Sequence, residues 1–112
     1  MPHKVEKLLL DLRIACSEVL SFSSGLSFED YLKNRLLQLA LEREFEIIGE
    51  ALVRLERIDE ESLEQNVPNY RKIIGFRNLV AHGYDIIDDQ ALWDLCKTHV
   101  PKLLSQIENY SS

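Results

Sequence analysis

The 112-residue sequence predicts an all-α fold, an antiparallel bundle of four to five helices. Three observations support that reading. Apolar residues recur at intervals of three and four along most of the chain, no period-two alternation runs longer than a few residues, and small, polar or proline-containing clusters interrupt the pattern at helix-like lengths.

The first helix is written in Val5, Leu8, Leu9, Leu12, Ala15, Cys16, Val19 and Leu20, which paint one face of an amphipathic segment. Ser21 to Gly25 ends it. Ser27, followed three residues later by Asp30, offers a hydroxyl to free backbone N–H groups and opens a second helix. That helix is expected from about Phe28 to about Arg57, the longest in the fold. It carries two apolar stripes, one of Leu37, Leu41, Phe45, Ile48, Leu52 and Leu55, and one of Leu32, Leu36, Ala40, Ile47 and Ala51. One helix in a small bundle rarely needs two buried stripes, so the extra face is expected to meet another subunit in a homodimer; the alternative is that the first and last helices cover both stripes within one protomer. Gly49, in mid-helix, permits a close helix crossing.

A short helical turn is expected at Asp59 to Glu64, and Asn66-Val67-Pro68-Asn69 punctuates the chain. Asn69 is placed as the cap of a third helix that carries Tyr70, Ile73, Ile74, Phe76, Leu79 and Val80 into the core, with Gly83 as its terminator. A last helix, capped by Asp88 or Asp89, presents Leu92, Leu95, Cys96, His99, Leu103 and Ile107 inward, and Pro101 should kink or divide it.

Composition narrows the function. The chain reads as a single domain over residues 1–112, large enough to bury a core without staples. Charged residues interrupt every candidate signal peptide or membrane span, so no membrane contact is expected and the chain reads as cytoplasmic. Cys16 and Cys96 lie far apart on apolar stripes and read as reduced core residues. Three dispersed histidines suggest no metal site, His99 reads as a satisfied core histidine, and no cofactor motif is present. A net charge of −6 argues against a broad nucleic-acid grip and leaves room for a small basic cleft.

Such a cleft is suggested by Asn69 to Tyr84, where the only charged side chains are Arg71, Lys72 and Arg77. At its end stands His82, the side-chain type that titrates near neutrality. Arg77 and Tyr84, seven residues apart, lie nearly in register on a helix, and His82 reaches their face if the helix unwinds near Gly83. An arginine fork binds phosphate oxygens, a histidine moves protons, and a tyrosine hydrogen-bonds phosphate or stacks on a base. The same residues also suit a plain helix terminus, with histidine favourable at the dipole and glycine closing the turn.

Three segments in order decide between these readings. The spacing of Arg77, His82 and Tyr84 is that of an Arg-x4-His-x-Tyr motif; Ile47-Ile48-Gly49-Glu50-Ala51 contains an Ile-Gly-Glu-Ala segment; and Pro68 to Tyr84 resembles a Pro-x-x-x-Ile-Ile-Gly-x-Arg-Asn pattern, with one further residue after Pro68. Trp93 and the Pro101-x-Leu103 region continue the likeness. Together they resemble the HepT-like proteins of the HEPN group, found in toxin–antitoxin systems.

The resemblance implies a helical homodimer with a cleft at the subunit interface and metal-independent endoribonuclease activity on tRNA or mRNA. Arg77 and His82 would be the catalytic pair, Asn78 and Glu50 supporting residues, and the product a 2′,3′-cyclic phosphate. It also implies an MntA-like nucleotidyltransferase antitoxin, which in some systems transfers AMP to the motif tyrosine, here Tyr84. A second reading is a catalytically weak binding partner or scaffold of a nucleotidyltransferase.

Overall fold

The first stripe folds as read. A computed structural model describes residues 2–81 and 88–111, with the backbone alone for residues 2, 3 and 77–81. Helix α1, Pro2–Ser23, buries Val5, Leu8, Leu12, Ala15, Cys16 and Val19. Its last turn is closed from outside. Ser23 Oγ donates to the Val19 carbonyl at 2.8 Å, and the Lys97 ammonium donates to the Ser23 carbonyl at 2.6 Å, a cation where the helix dipole favours one. Gly25, at φ +72°, then turns the chain back in the left-handed region that suits glycine.

Helix α2, Phe28–Leu32, starts on the expected capping box: Asp30 N–H donates to Ser27 Oγ and Ser27 N–H donates to Asp30 Oδ2. The expected helix from Phe28 to Arg57 starts where expected and is corrected in its continuity and its end. It breaks after Leu32, and α3, Arg35–Asn66, begins anew on Asn34, whose side chain accepts from Leu37 N–H at 3.0 Å. The Gln38 amide donates to the Tyr31 and Leu32 carbonyls and so ties the two helices across the break. Leu32 and Leu36 keep helical spacing over the gap, which is why periodicity alone reads through it. Asn34→Ala is expected to cost about 1 kcal/mol, measured as a lower midpoint in urea with an unchanged slope.

The expected stop near Arg57 is a kink. Asp59 takes φ −154° and ψ 46°, accepts from the Tyr110 hydroxyl at 3.0 Å, and the helix resumes to Asn66. Leu37, Leu41, Phe45, Ile48, Leu52 and Leu55 are all buried and form the spine of the core. Helix α4, Tyr70–Ala81, runs antiparallel to α3: Tyr70 Oη donates to Glu56 at 2.6 Å near one end, and Phe76 meets Phe45 edge-on at 6.1 Å near the other. Asn69 does not cap it. The Asn69 Oδ1 atom is buried without a hydrogen-bond partner, while the Asn69 backbone carbonyl accepts from Lys72 N–H. Leu79 and Val80 are described in backbone only, and Gly83 lies outside the described residues.

Asp88 caps α5, Asp89–Asp94, through Ala91 N–H. A π turn, Leu95–His99, then leads into α6, Val100–Glu108. The widened turn is how Pro101 is accommodated. Proline lacks an N–H and crowds the carbonyl four residues back, and a π turn relieves that crowding without ending the helix. His99 is half-buried in this turn. Its Nδ1 has no hydrogen-bond partner among the described residues and lies 3.9 Å from Asp94 Oδ2, so the expectation of a satisfied core histidine is corrected. Among the described residues there is no strand, and no helix is long and apolar enough to cross a membrane.

Candidate functional site

The candidate site lies along α3 and the end of α4. Gly49 is buried, and Glu50 stands beside it at the surface of α3. Glu50 Oε1 accepts from Arg54 Nε at 3.2 Å, and the carboxylate lines two adjoining grooves between α1 and α3, of about 300 and 630 Å³. Arg77 and Asn78 belong to the second half of α4. Arg77 stands four residues after Ile73 and seven after Tyr70, both buried, which puts its position on the side of α4 that faces α3. His82 and Tyr84 lie outside the described residues, as does the approach of either to Glu50.

The expected positive field over Asn69 to Tyr84 is weaker than its composition suggests. Arg71 is taken up by three carboxylates of α3, Glu64 at 2.6 Å, Glu60 at 3.4 Å and Glu56 at 3.8 Å. Those acids lie on the preceding helix and meet Arg71 because α4 folds back along α3. Sequence reasoning also missed a second set of cations, Lys4, Lys7, Arg54 and Arg57, which converge on the larger groove. Their signal was an i, i+3 pair of cations on each of two helices.

Neither cysteine contributes chemistry. Burial pushes the Cys16 and Cys96 thiols up to about 12, leaving no thiolate near neutrality. Both are free and buried, as the sequence reading has them. Among the described residues no group of three His, Cys, Asp or Glu side chains converges to hold a metal.

Glu44 is the buried carboxylate of the core, only 6% exposed. Burial first, and then a hydrogen bond and charge from Glu18, raise its pKa to about 7 from an ordinary 4.5. A carboxyl with a raised folded-state value stabilises the fold fully below its unfolded pKa, and the contribution is lost as pH rises through the folded one. The melting temperature is therefore expected to fall by roughly several degrees as pH rises from about 4.5 to beyond 7. Glu44→Gln should flatten that dependence and melt higher than the parent at alkaline pH. Thermal melts by circular dichroism across this range check both statements.

A helical bundle whose long helix carries Gly49-Glu50 and whose next helix leads into Arg-x4-His-x-Tyr is the arrangement that the HEPN resemblance implies. The family described as Ribonuclease HepT-like matches residues 12–110, and the chain belongs to it. A Methanocaldococcus jannaschii protein named "Putative RNase MJ1380" is 29% identical over 106 residues, 93% of this chain and 94% of that protein. "Probable ribonuclease HepT" of Thermococcus cleftensis is 31% identical over 100 residues, 89% of each chain. "Putative RNase TTE0752" of Caldanaerobacter subterraneus subsp. tengcongensis is 31% identical over 93 residues, 83% of this chain and 81% of that protein. No solved structure matches the chain.

Proposed function

We propose that residues 1–112 form one catalytic domain, a metal-independent endoribonuclease that is the toxin of a toxin–antitoxin pair. The observation that carries this reading is the match to a ribonuclease family across residues 12–110, with Arg77, His82 and Tyr84 at that family's motif spacing inside the matched span. In the reaction, the ribose 2′-hydroxyl attacks the neighbouring phosphorus and the bond to the 5′-oxygen breaks. A 2′,3′-cyclic phosphate and a 5′-hydroxyl result. His82 is the proton-transfer group, and Arg77 neutralises charge growing on the phosphoryl oxygens. Asn78 and Glu50 orient the pair. The symmetry mate of His82 supplies the second acid or base, which makes the homodimer part of the mechanism.

Support for the dimer comes from the second stripe of the long helix. Its N-terminal end is left open, with Leu36 78% and Leu32 46% exposed, and Leu39 and Phe22 exposed nearby. Phe22, Leu36, Leu37 and Ala40 line a surface hollow of about 280 Å³ with Asn34. Ala51, at the other end of that stripe, is buried within the protomer. Exposed leucines clustered at one end of two helices are the kind of patch a second copy covers.

Control is exerted by an MntA-like nucleotidyltransferase that transfers AMP to Tyr84. The added bulk and negative charge at the cleft repel RNA phosphate. The test is RNA cleavage in EDTA by the parent protein beside its His82→Ala variant. Cutting by the parent alone is the expected result. If neither protein cuts, and mass spectrometry finds no AMP on Tyr84, the chain is a helical partner of the nucleotidyltransferase instead.

A further inference from the structure

We infer that the groove between the start of α1 and the middle of α3 is a binding track for the RNA sugar-phosphate backbone, held by Lys4, Lys7, Arg54 and Arg57. The inference rests on the ribonuclease reading for the identity of its ligand. Among the described residues, Glu50 is the one carboxylate lining the larger groove, against those four cations, in a chain whose net charge is −6. Three arginines elsewhere are drawn into acids, Arg71 with three carboxylates, Arg35 with Glu42 and Arg43 with Glu46, while Arg13 has no ion pair among the described residues.

Here the balance reverses. Lys7 pairs with Asp11 at 2.7 Å and Arg54 with Glu50 at 3.2 Å, while Lys4 and Arg57 have no ion pair among the described residues. Two cations left in water beside a groove of about 630 Å³ are free to exchange their counterions for phosphates. The spacing also fits. Residues three apart on a helix stand about 5–6 Å apart at Cβ, so Lys4 with Lys7 and Arg54 with Arg57 form two short rails facing each other across antiparallel helices. Exposed Ile58 and the outer edge of buried Leu8 supply an apolar floor between them, suited to ribose or a base face. One end of the groove is lined by Glu50, which the proposed function counts among the supporting residues of the site.

The test uses the full chain carrying His82→Ala, so that binding is read without cleavage, and a fluorescently labelled single-stranded RNA of mixed sequence. Adding Lys4→Ala and Arg57→Ala should weaken binding on the order of ten-fold at ~0.1 M salt. The slope of log K against log salt should fall by about 1.4, the loss of two neutralised phosphates on a single strand. Lys102→Ala, an exposed cation on α6, is the control and should change neither. In the nuclease-competent background, the double change should raise KM for long RNA and leave turnover of a dinucleotide as it was. Unchanged affinity and slope overturn the track. A change of oligomeric state in the double variant overturns it too, since the groove would then be an interface between copies. If the parent cuts no RNA, the catalytic reading fails separately, and the salt slope still decides whether the groove takes a polyanion.

Discussion

Replacing His82 with alanine is expected to slow RNA cleavage by about 10²–10⁴-fold, the range that general acid–base groups supply. The same change should leave the melting temperature and RNA affinity near those of the parent. The reasoning is chemical. The 2′-hydroxyl is a poor nucleophile until its proton is removed, and the 5′-oxygen is a poor leaving group until it gains one, so loss of a group that titrates near neutrality removes help at both steps. In a symmetric dimer the substitution deletes both copies at once. Arg77→Ala is expected to be comparably slow for a different reason, since it removes the charge-assisted fork aimed at the phosphoryl oxygens. Arg77→Lys should recover only part of the loss, because an ammonium keeps the charge and lacks the planar pair of donors. Initial rates on a labelled RNA at saturating concentration, with binding measured alongside, separate these outcomes. A His82→Ala protein that still cuts at the parental rate removes the histidine from the mechanism.

A second large effect is expected at the open end of the α2–α3 apolar surface. Leu36→Glu with Leu39→Glu should prevent the proposed dimer from forming. Fully burying a leucine is worth about 1.5–3 kcal/mol, and in a two-fold interface each residue counts twice. Scaled by the exposure that Leu36 and Leu39 still have in the protomer, two copies of each account for about 4–7 kcal/mol, which weakens association by roughly 10³–10⁵-fold. The protomer should survive the change, because Leu36 and Leu39 are 78% and 46% exposed within it and its buried spine is untouched. Light scattering at micromolar concentration should give the protomer mass, and cleavage should fall with it, since one chain carries one motif histidine. A dimer that persists, or a parent protein that is already monomeric, places the interface elsewhere or denies it.

What could be read from residues alone follows the range of each interaction. The spine from Leu37 to Leu55 was legible because burial follows the helical period, and so were the Ser27 and Asp88 caps, whose partners lie three residues away. Breaks inside a continuous period were not. Asn34 starts a helix between Leu32 and Leu36, which keep the spacing of an unbroken one, and Asp59 kinks α3 with help from Tyr110, which lies 51 residues on. Pro101 announced a disturbance, yet its form, a π turn upstream, depends on how α5 and α6 pack. Electrostatics was the least legible. Arg71 looked like part of a basic cleft until the α3–α4 hairpin brought three carboxylates to it. Lys4 and Lys7 became part of a groove only when α1 was laid antiparallel to the Arg54–Arg57 stretch. The motif at Arg77, His82 and Tyr84 was legible through resemblance, since its geometry alone also suits a helix end.

The most direct measurement is the chemistry of the ends left on RNA cut in EDTA by the purified protein. A 2′,3′-cyclic phosphate on one fragment and a 5′-hydroxyl on the other is the expected result, produced by the parent and lost with His82→Ala. A 5′-phosphate with a free 3′-hydroxyl would mean that water and not the 2′-hydroxyl is the nucleophile and would contradict the proposed roles of His82 and Arg77, and cleavage that appears only when magnesium is restored would contradict a metal-independent reaction.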